Sequence, residues 1–166
     1  MDQLQQFLQQ HPDIEIFEVL LHDLNGIQRG KWLPRKQIKK LFDGGYKMPQ
    51  TTCSLDSWGR DLEELITATG DTDGICTADI NTLALVPWAD RPTAQIIVSM
   101  GSFSGDEPYL GDCRVVLNNI LKRFDKLGLT PVVASEMEFH LFELDRDRFG
   151  APQHSQRALD GSPALG

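Results

Sequence analysis

What the chain has little of narrows its class. Only three of the 166 residues are cysteine, Cys53, Cys76 and Cys113. Their number is odd and none stands in a C-x-x-C pair, so neither a disulfide framework nor a cysteine zinc site is indicated. Buried, inert thiols are the expectation. No run approaches the ~20 apolar residues that cross a bilayer. The opening MDQLQQFLQQHPD has neither the basic start nor the apolar stretch of a signal peptide. A cytoplasmic protein without membrane contact is expected. Basic side chains are also scarce: 16 against 24 acidic, for a formal charge of −8. Such a balance argues against nucleic acid as the main ligand, because phosphate binding needs a basic footprint.

The charge is uneven. Residues 1–60 carry 8 basic and 7 acidic side chains, whereas 61–166 carry 8 and 17. Within 27–40, Arg29, Lys31, Arg35, Lys36, Lys39 and Lys40 stand with no acid among them. A solvated edge strand and helix face explains this run, and an anion or subunit contact is the other reading.

Leu4, Phe7 and Leu8 predict an amphipathic helix over 2–10, ended by His11-Pro12. Residues 15–22 read as a strand with Phe17, Val19 and Leu21 on one face. Asn25-Gly26 then supplies a tight turn, and 27–33 forms the returning strand. Pro34 is placed at the first position of a helix over 35–43, with Ile38, Leu41 and Phe42 as its stripe. A polar loop over 48–60 and strands over 82–86 and 93–100 follow. Residues 101–111 read as a boundary. Val116, Leu117, Ile120, Leu121, Phe124 and Leu127 then mark a helix after Asp112 as N-cap, stopped at Gly128. Hairpin, helix and further strands suit a small mixed sheet crossed by a helix.

The segment 131–144 carries the chemistry. Read as a strand, it projects Glu136 and Glu138 from one face, their Cα atoms about 6.6 Å apart. His140 follows on that face. Val133, Met137, Phe139 and Leu141 alternate on the other, as if built for burial. Paired carboxylates on a rigid strand suit Mg²⁺ or Mn²⁺, which prefer oxygen donors. Spacing alone also fits a solvent-facing strand or an acid–base pair.

The run Ser135-Glu136-Met137-Glu138-Phe139-His140-Leu141-Phe142 resembles the E-x-E-F-x-L-F strand of the glutamine synthetase family. Asp23-Leu24-Asn25-Gly26 to Pro34 is similar to that family's D-x-x-G hairpin. Asp79 to Trp88 resembles its D-x-x-T-L-x-x-x-P-W segment. Gly111-Asp112-Cys113-Arg114 resembles the D-P-R lead into the first catalytic helix, with Cys113 replacing proline. The resemblance runs from about residue 14 to 145.

It implies an α+β fold: an N-terminal β-grasp (ubiquitin-like) domain over 1–104, then the first helix and strand of an incomplete catalytic domain over 105–166. It implies an ATP-dependent ligase that phosphorylates glutamate's side-chain carboxylate and lets ammonia or an amine displace the phosphate. In such a ligase two divalent cations offset the charge of phosphoryl transfer. Glu138 would hold the cation near glutamate and the acyl phosphate, Glu136 the one on the nucleotide phosphates, and His140 would be structural. Family members form stacked hexameric rings, so a homo-oligomer is expected of the full-length protein.

Ammonia-using members carry a D-G-S-S-like run in the loop after the second helix. Here that stretch reads Met48-Pro49-Gln50-Thr51-Thr52-Cys53-Ser54-Leu55-Asp56. Its departure, the D-L-N-G hairpin and Arg29-Gly30-Lys31 look more like the γ-glutamylpolyamine synthetase branch, which joins glutamate to putrescine or a related amine. Asp56 is then either an amine contact across a subunit boundary or a loop-capping aspartate. Because the family's remaining ligands would lie past Gly166, the chain alone is expected to be inactive. Two other classes compete: a stand-alone β-grasp interaction module with a basic docking face, and a metal-binding regulatory protein.

Overall fold

Alternation decides the first strand. In β1 (Ile16–His22), Phe17, Val19 and Leu21 are buried while the residues between them are half-exposed. The same alternation runs through β6 (Thr93–Met100), where Ala94, Ile96, Val98 and Met100 face inward. Each buried large aliphatic or aromatic side chain contributes about 1.5–3 kcal/mol, so the two strands supply much of the core. They pair in parallel, which places a crossover between them.

The structure is a computed structural model and describes residues 2–154. Its contacts divide the chain into one unit up to Thr130 and a second from Pro131 on. In the first unit the sheet order is β2 (Gln28–Pro34), β1, β6, β4 (Asp73–Ala78) and β3 (Lys47–Pro49), with short β5 (Ala84–Leu85) beside β6. Strand β2 (Gln28–Pro34) returns antiparallel to β1 after Gly26, whose φ of 74° suits the turn predicted there. It is an edge strand, as its basic sequence implied. At Gly30 a Cβ would overlap the Val19 carbonyl, so only glycine fits that crossing. Strand β4 (Asp73–Ala78) pairs with the end of β6 and with β3 (Lys47–Pro49).

Helix α1 (Asp2–Gln10) buries Leu4 and packs Phe7 and Leu8 against the inner face. The helix expected over 35–43 is instead a 3₁₀ turn, Arg35–Gln37, followed by one turn of α2 (Lys39–Phe42). Pro34 ends β2 rather than opening a helix, yet Ile38 and Leu41 are buried as the stripe required. Among the strands and α-helices of the first unit, three escaped the sequence reading: β3, β4 and α3 (Glu63–Thr69). Helix α4 (Cys113–Lys126) begins at the predicted N-cap, where Asp112 accepts from the Arg114 N–H at 2.7 Å. Most of its apolar stripe is exposed, including Val116, Leu117 and Ile120. Cys53 and Cys76 are buried, and burial pushes both thiols up to about 12. Cys113 is only half-buried.

In the second unit the strand expected over 131–144 is not formed as predicted. Residues 131–141 have no regular structure, and β7 covers Phe142–Arg146, paired with β8 (Pro152–His154). Residues 155–166 lie outside the described residues. No helix among the described residues is long and apolar enough to cross a membrane.

One side chain adds hydrogen bonds between the end of α1 and the turn after β2. The Arg35 guanidinium donates from Nη1 to the His11 carbonyl at 2.7 Å and from Nη2 to the Leu8 carbonyl at 2.6 Å. These carbonyls at the helix end have no partner within the helix. Arg35→Met is expected to lower stability by about 1–3 kcal/mol in urea unfolding, because partly buried charge-assisted bonds are lost. Lys36→Met, at the exposed neighbouring position, should change it by less than about 0.5 kcal/mol.

Candidate functional site

Asp23 organises the loop that carries Asp56. Its side chain is fully buried and its Oδ1 accepts the N–H groups of Asn25 and Ile27, both at 2.9 Å. Oδ2 accepts from Arg29 Nε at 2.9 Å. This is the self-bonding turn for which aspartate and asparagine are selected. Burial alone would raise the carboxyl's pKa, but the Ile27 N–H, the Arg29 guanidinium and the Asn25 N–H together hold it below its ordinary 3.8.

The hairpin tip grips the following loop. Asn25 Nδ2 donates to the Leu55 carbonyl at 2.7 Å, and the Leu24 N–H donates to the Cys53 carbonyl at 2.9 Å. Asp56 stands next. Its Oδ1 accepts from the N–H groups of Trp58 and Arg60, both at 2.8 Å. Gly59, with φ of 78°, closes that turn. The geometry gives Asp56 a loop-capping task, the plainer of its two sequence readings. Trp58 projects into solvent beside it.

Glu136 and Glu138 belong to the second unit and are both exposed. The apolar alternation behind them is not buried: Val133 and Met137 are each 89% exposed. A strand forms only where a neighbour takes its hydrogen bonds, and no strand runs beside 131–141 among the described residues. As oxygen donors the two carboxylates fit Mg²⁺ or Mn²⁺ in kind but not in number. Among the described residues no three His, Cys, Asp or Glu side chains are grouped to hold an ion. His140 tilts against Phe142 at 6.3 Å between ring centres.

One feature was absent from the sequence reading. On the outer face of the sheet, Glu18 stands directly across from Trp32 on β2 and beside Gln95 on β6. With Trp88, Glu18 and Trp32 border a cleft of about 270 Å³. The alternation of β1 already set Glu18 opposite to Phe17 and Val19, but its neighbours follow only from the register.

No family model matches the chain. The γ-glutamylputrescine synthetase PuuA of Escherichia coli (strain K12) is 34% identical over 152 residues, covering 89% of this chain and 31% of its own length. A glutamine synthetase of Thermococcus kodakarensis is 30% identical over 121 residues, covering 73% of this chain and 24% of its own. The chain belongs to the glutamine synthetase family. It therefore spans a third or less of the length of these relatives. A GmaS/ADP complex shares the fold, with a TM-score of 0.57 at 24% identity over 76% of this chain and 26% of that one. Within this glutamine synthetase family chain, the resemblance at Asp23 and at Asp112 falls on two buried carboxylates that organise backbone, not on solvent-facing groups.

Asp23 gives a pH-dependent test. Its pKa is lower folded than unfolded, so its contribution is complete above pH 3.8 and is lost as pH falls through the folded value. Asp23→Asn should be less stable than the parent chain at pH 7. The gap should narrow below pH 3.8 in urea unfolding series.

Proposed function

We propose that the chain is the N-terminal portion of an ATP-dependent ligase that activates glutamate as γ-glutamyl phosphate and joins it to an amine. A putrescine-like acceptor is favoured over ammonia. The observation that carries this reading is the 34% identity to a γ-glutamylputrescine synthetase across 89% of the chain. The absence of a D-G-S-S-like run before Asp56 supports the amine branch.

In this reading residues 1–104 form a β-grasp domain, and 105–166, with α4 at their start, begin a catalytic domain that is incomplete here. Glu136 and Glu138 would each hold one Mg²⁺ or Mn²⁺, which would supply charge neutralisation during phosphoryl transfer from ATP. What the chain itself contributes is two hard oxygen donors, solvent-exposed and two residues apart. Asp56 contacts the incoming amine across a subunit boundary through the carboxylate face not bonded to its own loop. The full-length enzyme is cytoplasmic and homo-oligomeric, and it takes glutamate, ATP and an amine or ammonia without nucleic acid or membrane.

The isolated 166-residue chain should show no glutamate-dependent release of phosphate from ATP, since it supplies only part of a site. Measurable turnover by the purified chain contradicts this. In the full-length enzyme, putrescine should outperform ammonia in kcat/KM. Glu136→Ala and Glu138→Ala should each lower kcat by about 100-fold or more, with partial recovery at high Mn²⁺. Equal or better use of ammonia rejects the amine branch, and full activity of either variant rejects the ligand assignment.

A further inference from the structure

Two of the three tryptophans are left in water on one cleft of the outer sheet face. Trp32 is 67% exposed and Trp88 77%. Glu18 lies directly opposite Trp32 in the antiparallel register, which sets their Cβ atoms about 4.5–5.5 Å apart. On its other side Glu18 neighbours Gln95 in the parallel register. The row Trp32, Glu18, Gln95 therefore crosses three adjacent strands on one face. Trp88, from the connection after β5, stands at the same cleft, and Ile16 adds an apolar wall.

Glu18 is half-buried, and the ion pairs among the described residues, Asp23 with Arg29 and Asp79 with Arg114, leave it out. Asp90 and Arg91, both exposed, stand at the rim with opposite charges, so Glu18 sets the sign of the interior. An anion would meet that carboxylate without compensation. A neutral apolar guest would strip it of water and give nothing back. A cation gains from both: indole faces are electronegative, and a carboxylate accepts hydrogen bonds.

We propose that the Trp32–Glu18–Trp88 cleft binds a small primary alkylammonium ion. The ammonium donates to the Glu18 carboxylate, while the alkyl chain lies along the indoles and Ile16. No bond is made or broken. The site extends the amine-acceptor reading given above but does not rest on turnover. Its test contains neither ATP nor glutamate, so its failure leaves the ligase reading standing and the reverse also holds.

The experiment is a tryptophan-fluorescence titration of the full 166-residue chain carrying Trp58→Phe, which removes the indole outside the cleft. The titrant is n-butylammonium chloride at pH 7 and constant ionic strength, with sodium chloride and n-butanol as parallel titrants. A saturable change in the millimolar range is expected for n-butylammonium alone. Glu18→Gln, nearly isosteric, and Trp88→Leu, on an exposed connection, should each weaken binding by about threefold to tenfold. Sedimentation at matched concentrations reports self-association. The proposal is overturned by a response equal to that of sodium chloride, by equal affinity for n-butanol, or by unchanged binding in both variants. It is likewise overturned if self-association closes the cleft and abolishes the response.

Discussion

The buried carboxylate of Asp112 is the constraint on which the described end of the first unit depends. Its Oδ2 accepts the Met100 N–H at 2.6 Å and its Oδ1 the Arg114 N–H at 2.7 Å. One side chain thus joins the last residue of the central strand β6 to the first turn of α4. The bonds satisfy a helix donor that has no partner in the helix and a strand donor at the limit of its ladder. Arg114 then reaches Asp79 at 2.7 Å, fixing the helix start to the turn after β4. The residues between, 101–111, are turn-rich and are held by several backbone bonds, among them the Ser102 N–H to the Glu107 carbonyl at 2.6 Å and the Tyr109 N–H to the Met100 carbonyl at 3.0 Å. Without Asp112 the Arg114–Asp79 pair would be left to set where α4 begins, with no bond to the end of β6. Aspartate suits the position because one short side chain can serve two amides at once, whereas a longer one would lose rotamer freedom and reach past them.

Much of this was legible in the sequence, and the legible parts share a cause. The 93–100 strand, the Asn25-Gly26 turn and the α4 N-cap are each dictated by local alternation or by one residue's conformational preference. The missed elements are those whose stability is supplied from outside. Strand β4 reads Asp73-Gly74-Ile75-Cys76-Thr77-Ala78, with a glycine and few β-branched residues, and holds only because β6 and β3 flank it. Helix α3 is seven residues long, below the length at which helices persist alone, and stops at Gly70 in the left-handed region. Local propensity does not encode such dependence.

The candidate site divides along the same line. Asp23, Asn25 and Asp56 form their turns with residues two to four positions away, so their tasks follow from short-range chemistry. The Glu18 row needed a pairing between residues 14 positions apart on β1 and β2, and 77 apart on β1 and β6. No periodicity reports that. The Glu136 and Glu138 pair is the converse: a pattern plain in sequence whose geometry is not self-sustaining. Period-two alternation places side chains on alternate faces only when a backbone is held extended, and holding it extended requires neighbours on the hydrogen-bonding edges.

That requirement bears on how the chemistry is distributed. A metal centre needs donors fixed to within a fraction of an ångström, so ligands on an unpaired segment hold an ion poorly however well their spacing suits it. Val133, Met137 and Phe139, exposed beside the two glutamates, are the side chains that a covering layer would bury. Their burial would contribute about 1.5–3 kcal/mol each and would lock the carboxylates as a by-product. In the ligand reading proposed above, donor geometry at Glu136 and Glu138 and apolar packing behind them are therefore one event, not two. A surface that buries Phe139 and Met137 assembles the pair, and one that leaves them in water does not.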